Sequence, residues 1–431
     1  MTAVHDPPIP DTHPGAGEPG FPQVDLVLMQ VAVEHAADAA DAESCGESEL
    51  IDQIQQIESL QNSLAALQAN RIRSFARTHV DRRISAGVVD PDKLERGVIA
   101  QLGLACRVSP TEARSRLRAA RDLRDGLDHI RGLFVAGELN RDKIAAIVTA
   151  TADLDTGQRA AVDARLAAHD LTRLGIGRLR DLVRRLVAEI APEKFRSRVE
   201  AARAQRRVTL RPAPDGMSYL TAYLPVEQGV ACLAALRKAF TEVSVDPTPL
   251  TRSRGQVMAD TLVERVTGKS VATDVDIEVQ VLVPVEALID PDSPLPAEIP
   301  GHGPVPVDLL ATTTGRKALR RLLTRDGVII GGASRQRFFT GLLAELVKAR
   351  ARQRCTEPYC DAPARHIDHI DRSAEHGPTA LENGRAVCEF HNYIREQPGW
   401  NVARTPDGVQ TTTPTGHTYL ATEERFDDRE E

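Results

Sequence analysis

Hydrophobic residues recur along this chain in two rhythms, and the change between them divides it. From Glu49 they fall three and four apart, at Ile57, Leu60, Leu64 and Leu67, which predicts a helix with one apolar stripe. Such a stripe admits a homo-oligomer through the N-terminal helices, although packing within its own bundle is the commoner use of so short a run. Helical signals continue to about Arg207. Ser109, Pro110 and Glu112 spell a helix start: a hydroxyl cap, a proline in the first turn, and a carboxylate able to reach back to the cap amide. Leu179, Leu182, Val183, Leu186, Val187 and Ile190 then share one helical face, with Arg178, Arg184 and Arg185 on the other. Residues 94–123 read as two helices joined by a short turn, loosely a helix-turn-helix with Arg114, Arg118 and Arg121 on the second helix. Gly103, however, precedes the turn where that motif wants its glycine. After Arg207 the period shortens. Residues 208–211 and 217–224 flank a Pro-Ala-Pro-Asp-Gly turn, predicting a hairpin, and Val275, Ile277, Val279, Val281 and Val283 alternate as in a strand with one buried face. Pro291 to Pro306 reads as a loop or linker, and Phe338 to Arg354 as one more helix.

Charge changes this picture. The 431 residues carry a formal net charge of −7, which would ordinarily argue against a nucleic-acid partner. The acidity is concentrated at the ends: residues 1–70 hold 12 acidic residues and no Lys or Arg, and residues 423–431 hold 6 acidic against 2 basic. The body between them is basic by 9 charges, and between Arg173 and Arg207 there are 11 basic and 4 acidic residues, a surface suited to phosphates. No apolar run approaches the roughly 18 to 20 residues that span a bilayer, and the start has no basic segment before an apolar stretch, so a cytoplasmic protein without a membrane partner is expected. Residues 1–24, rich in Pro, Gly and Asp, read as a disordered arm.

Cysteine spacing points to chemistry. Of six cysteines, Cys355, Cys360 and Cys388 fall within 34 residues, and in a reducing compartment such a cluster indicates metal. Cys355 and Cys360 form a C-x4-C pair, and Cys388 with His391 forms a C-x2-H pair. Three thiolates and one imidazole suit a closed tetrahedral Zn²⁺ site that staples two loops where a large core is lacking. Asp368 and His369 lie between the pairs, and Asn383 and Asn392 lie beside the second.

This arrangement, over roughly Arg354 to Gln397, resembles the HNH nuclease motif. The resemblance implies His369 as general base, Asp368 and Asn392 as ligands of a catalytic divalent cation, Mg²⁺ or Mn²⁺, Asn383 as the loop-orienting asparagine, and Cys355, Cys360, Cys388 and His391 as zinc ligands. The types suit the reaction: a neutral imidazole can take a proton from water near physiological pH, and a hard cation can offset charge on a phosphorane. An alternative places His391 in the catalytic pocket and leaves three cysteines for zinc, and His366 is a further nearby histidine. The chain departs from the pattern at Asn392, where close relatives have histidine, at Gly384, where leucine is usual, and at His376, which replaces the first glycine of a turn.

A second resemblance covers most of the chain. The segments VIAQLGLACRVSPTEARSRLRAARDLRDGL, VAGELNRDKIAAIVTATADLD and DGMSYLTAYLP, between Leu94 and Thr267, look like the N-terminal domain of the actinobacterial 13E12-repeat proteins, which join domain of unknown function 222 to a C-terminal HNH module. The expected fold is α+β and multidomain: the arm, a mainly helical domain at 25–207, a mixed α/β segment at 208–345, a zinc-stapled ββα-metal module at 346–412, and an acidic tail at 413–431. The expected activity is metal-dependent endonuclease cleavage of DNA, with a DNA-binding or regulatory protein bearing a weak HNH-like module as the alternative.

Overall fold

A computed structural model describes residues 26–39, 46–244, 252–268, 296–299, 301–306, 324–325, 328–329, 333–334 and 338–422. The expected arm at 1–24, the alternating strand at 275–283 and the acidic residues 423–431 lie outside them. The chain forms two compact units, residues 1–60 and 61–431. In the first lie α1 (Leu26–Ala39) and the start of α2 (Glu47–Ser85). The stripe on α2 is placed differently from expectation. Ile57, Leu60 and Leu64 are exposed, and the helix packs instead through Ala65, Ala66, Ile72 and Ala76. Small residues let neighbouring backbones approach, which a leucine stripe would prevent.

The second unit is mainly helical at first, with α3 (Pro91–Cys106), α4 (Pro110–Asp122), α5 (Asp128–Val135), α6 (Arg141–Thr151), α7 (Thr156–Leu166), α8 (Ile176–Ile190) and α9 (Pro192–Ala204). Most start where the sequence offers an oxygen to the orphan amides. Asp90 accepts from Asp92 and Lys93, Asn140 from Lys143, and Asp155 with Gln158 closes a full capping box. Ser109 caps α4 as predicted, but Glu112 turns away to Arg116 at 3.0 Å, so only half of the expected box forms.

Two cores result. Leu179, Val183, Leu186 and Val187 of α8 meet Leu127, Ile130, Leu139, Ile147, Val162 and Leu166, while Arg178, Arg184 and Arg185 stay outside as their spacing predicts. Val98, Ile99 and Leu102 of α3 pack with Leu117 of α4 and Ile72 of α2. Then come the predicted hairpin, β1 (Arg207–Pro212) with β2 (Ser218–Tyr223), and helices α10 (Val226–Ser244) and α11 (Arg254–Thr267).

The proline-rich linker is a partial correction. It contains a hairpin of β3 (Ala297–Ile299) and β4 (Gly303–Val305), in which Ala297 and Val305 are buried. Short pairs follow, β5 (Thr324–Arg325) with β6 (Val328–Ile329), and β7 (Ala333–Ser334) with a later strand.

The C-terminal region opens with α12 (Gly341–Arg350). It continues through β8 (His366–His369), β9 (Thr379–Ala380), which pairs with β7, then β10 (Gly384–Val387), α13 (Glu389–Ile394) and a meander of β11 (Asn401–Thr405), β12 (Gly408–Thr412) and β13 (Thr418–Ala421). Because β13 pairs with β12, residues 418–421 belong to a sheet and not to a tail. A seam joins this region to the helices: Ile394 and Trp400 pack against Ala100 and Leu104 of α3, Phe390 touches both this cluster and the α2–α3–α4 core, and Gln397 donates to the Lys93 carbonyl at 3.2 Å.

Candidate metal centre and the strand beside it

Residues 355–365 are laced to β10 by backbone bonds, Thr356 to the Ala386 carbonyl and Arg365 to that of Val387. This brings Cys355 and Cys360 to the start of α13, where Cys388 is the N-cap and His391 lies one turn in. The four ligand atoms lie within 4.8 Å of one another, and all four residues are buried. His391 Nδ1 is 3.4 Å from the sulfurs of both Cys355 and Cys388, and the Cys360 and Cys388 sulfurs are 3.9 Å apart. Zinc bonds of about 2.3 Å to sulfur and about 2.0 Å to nitrogen imply tetrahedral edges of about 3.8 Å and 3.5 Å. The four residues therefore could hold a metal ion such as zinc.

Electrostatics points the same way. Hydrogen bonds with Cys360 and Cys388 push the Cys355 thiol upward, while those with Cys355 and Cys360 pull Cys388 downward. Burial opposes a charged His391, yet its bonds to Cys360 and Cys388 raise it to about 10. Packed thiols thus resist ionising together, and a divalent cation removes that conflict.

β8 pairs antiparallel with β10, setting His369 opposite Gly384 and Asp368 opposite Arg385. His369 is half-buried; its Nε2 lies 3.0 Å from Thr379 Oγ1, and its ring packs on Phe339 with centroids 4.6 Å apart. Asn383 is buried and holds the intervening loop: its Oδ1 accepts from the Asp371 amide at 2.8 Å, and its Nδ2 donates to the carbonyls of Asp371 at 3.0 Å and Pro378 at 2.8 Å. The same loop explains two residue choices. A Cβ at Gly377 would lie 1.9 Å from the Asp371 carbonyl oxygen, so only glycine fits. His376, standing where a glycine was expected, adopts φ +69°. Gly384 is explained by α12 and the residue pair before it: a Cβ there would come within 2.7 Å of Val347 and 2.9 Å of Phe339.

Asp368 is placed differently from a free cation ligand. Its Oδ2 accepts from Arg385 Nε at 3.0 Å and from Arg395 Nη1 at 2.6 Å. Arg385 also pairs with Glu357, inside the C-x4-C loop, at 2.9 Å, and both side chains are 4% exposed. Burial disfavours the Arg385 charge, but Glu357 and Asp368 more than compensate and hold it above its ordinary value. Arg395 also donates to the carbonyls of His369 and Ile370, fastening the end of β8 to α13. These arginines and Glu357 escaped the sequence reading. The available signal was weak: a single arginine in an apolar strand, and a glutamate between two metal-type cysteines.

Asn392 is half-buried on α13, beside His391, and its side chain makes no hydrogen bond among the described residues. Helix α13 contacts β8 directly. The imidazole of His391 belongs to the cysteine cluster, and that of His366 faces Tyr393 at 6.5 Å between centroids. A cavity of about 490 Å³ opens on the cysteine side, lined by Arg350, Cys355, Glu357 and Arg385; neither His369 nor Asn392 borders it.

The chain belongs to the family described as domain of unknown function (DUF222), which matches residues 51–285. The match covers α2 from residue 51, α3–α9, β1, β2 and α10–α11 and ends before the cysteine cluster, and no HNH family is detected. No curated protein matches the chain. No solved structure matches it either. No described helix is long and apolar enough to cross a membrane.

Proposed function

We propose that the chain is a metal-dependent HNH endonuclease hydrolysing DNA phosphodiester bonds, with His369 as general base. One observation carries this reading: His369 ends a strand, Asn383 fastens the following loop to the backbone beside it, and the paired strand runs directly into the helix bearing His391 and Asn392. This order supports the reading of a ββα-metal module stapled by zinc. His369 takes a proton from water, with Thr379 fixing its ring; Asn383 keeps the loop, and hence the imidazole, in place. Asn392 and the remaining oxygen of Asp368 would hold Mg²⁺ or Mn²⁺, which supplies charge compensation on the phosphate. The donor set fits that cation only in part, since two guanidinium groups already occupy Oδ2 of Asp368.

That occupancy favours a second reading, a DNA-binding or regulatory protein whose HNH-like module is catalytically weak. Self-association through the exposed Ile57, Leu60 and Leu64 of α2 accompanies either. The test is nicking of supercoiled plasmid with Mg²⁺ or Mn²⁺, a chelator control, and His369→Ala. The expected outcome is chelator-sensitive nicking that falls by about 10² to 10⁴ in the variant. Duplex binding without cleavage would establish the second reading.

A further inference from the structure

α4 and α6 leave a groove of about 170 Å³ between them, lined by Thr111, Arg114, Ser115 and Arg118 from α4 and by Val148 and Thr149 from α6. On α4 the two arginines stand four residues apart, as do Thr111 and Ser115, so two cations and two hydroxyls share one face. Thr149 adds a third hydroxyl from across the groove.

The charges there are not tied into close ion pairs. Among the described residues neither Arg114 nor Arg118 forms a salt bridge, although Asp122 attracts Arg118 at longer range, and both are exposed. The neighbouring carboxylates are engaged elsewhere: Glu112 holds Arg116 at 3.0 Å, and Asp122 faces Arg159 at 3.7 Å. Arg121, grouped with these arginines by sequence, instead pairs with Glu95 of α3 at 3.2 Å. A groove offering two guanidinium forks, three hydroxyls and no carboxylate is built for an anion with several acceptor oxygens.

We propose that the α4–α6 groove binds a backbone phosphate of duplex DNA, so that the DUF222 helices grip the substrate without reading its sequence. The inference rests on the DNA reading above and adds to it a contact site that the HNH-type residues do not contain. Such contacts set affinity and its salt dependence and position the duplex.

The experiment measures binding of the full-length protein to a fluorescent 20-base-pair duplex without Mg²⁺, Mn²⁺ or chelator, so that the cysteine cluster keeps its ion, across a salt series, for wild type and for Arg114→Gln/Arg118→Gln. The expected result is affinity lower by roughly tenfold at moderate salt, with the salt slope reduced by about 2, and partial recovery in Arg114→Lys/Arg118→Lys. A control pair, Arg165→Gln/Arg173→Gln, removes the same charge from arginines already paired with Glu189 and Asp170. An equal fall in that control, or unchanged affinity and slope in the groove variant, overturns the proposal. Phenylglyoxal protection of Arg114 and Arg118 by millimolar inorganic phosphate but not by duplex would overturn it in favour of a free-anion site. Because leaving out Mg²⁺ and Mn²⁺ removes cleavage from the measurement, wild type that binds but never nicks when they are added defeats the endonuclease reading alone. Nicking and binding preserved together in the groove variant defeat this inference alone.

Discussion

The α5–α8 core and the cysteine region are held together by different means. In the first, Leu127, Ile130, Leu139, Ile147, Val162, Leu166, Leu179 and Val183 are essentially inaccessible to water, and stability rests on close-packed apolar surface. In the second, the strands are four residues long, and the buried apolar clusters are small. Their place is taken by a buried Arg385 between Glu357 and Asp368, by Arg395 fastened to β8, and by three thiols facing an imidazole. A short segment can thus be fixed to a defined shape, but its stability then rests on charge and on whatever ion the cysteine cluster could hold, not on area.

The sharpest way to break this contrast is to deprive the cysteine cluster of the zinc it could hold. Chelation at neutral pH, or Cys388→Ser, is expected to release about one zinc per chain. Amide exchange across residues 355–394 should rise by orders of magnitude while α5–α8 exchange slowly as before; hydrogen exchange with elemental analysis reads both. Uniform destabilisation of both regions would refute the contrast.

Next in size is Arg385→Met, which leaves Glu357 buried without its partner and Asp368 to Arg395 alone, and should cost about 3–5 kcal/mol. Leu179→Ala in the helical core should cost about 2–5 kcal/mol through an unfilled cavity. Denaturant melts would then separate the two by salt and pH: the arginine variant should change the pH dependence of stability, and the leucine variant should not.

The smallest effect concerns His79 on α2, buried beside Gln101 at 3.2 Å. Burial, then Arg83 and Arg82, lowers its pKa to about 4. Between about 4 and the ordinary histidine range the unfolded chain binds more protons than the folded one, so stability is present at neutral pH and lost as pH falls through that window. His79→Gln should flatten this slope in melts at pH 4.5 to 7.

Much of this was legible beforehand. The α8 stripe, the Ser109 cap and the hairpin at 208–224 came from local periodicity and turn chemistry, which act over a few residues. So did the pairing of C-x4-C with C-x2-H, because ligand spacing mirrors loop geometry. The partners of Asp368 were not legible, since Arg385 and Arg395 reach it across 17 and 27 positions and only strand register brings them near. Nor was the exposure of Ile57 and Leu60, because periodicity marks an apolar face without saying what covers it. Gly384, where leucine was expected, is set by tertiary packing: Val347 of α12 and Phe339, some forty residues upstream, fill the space a side chain would need.

The seam between α3 and α13 bears on how the C-terminal chemistry can be studied. A fragment beginning after the helices would carry Phe390, Ile394 and Trp400 bare to water, with nothing to receive Gln397. Such a truncated piece would tend to clump, and its silence in an assay would reveal a wounded surface, not an inert centre.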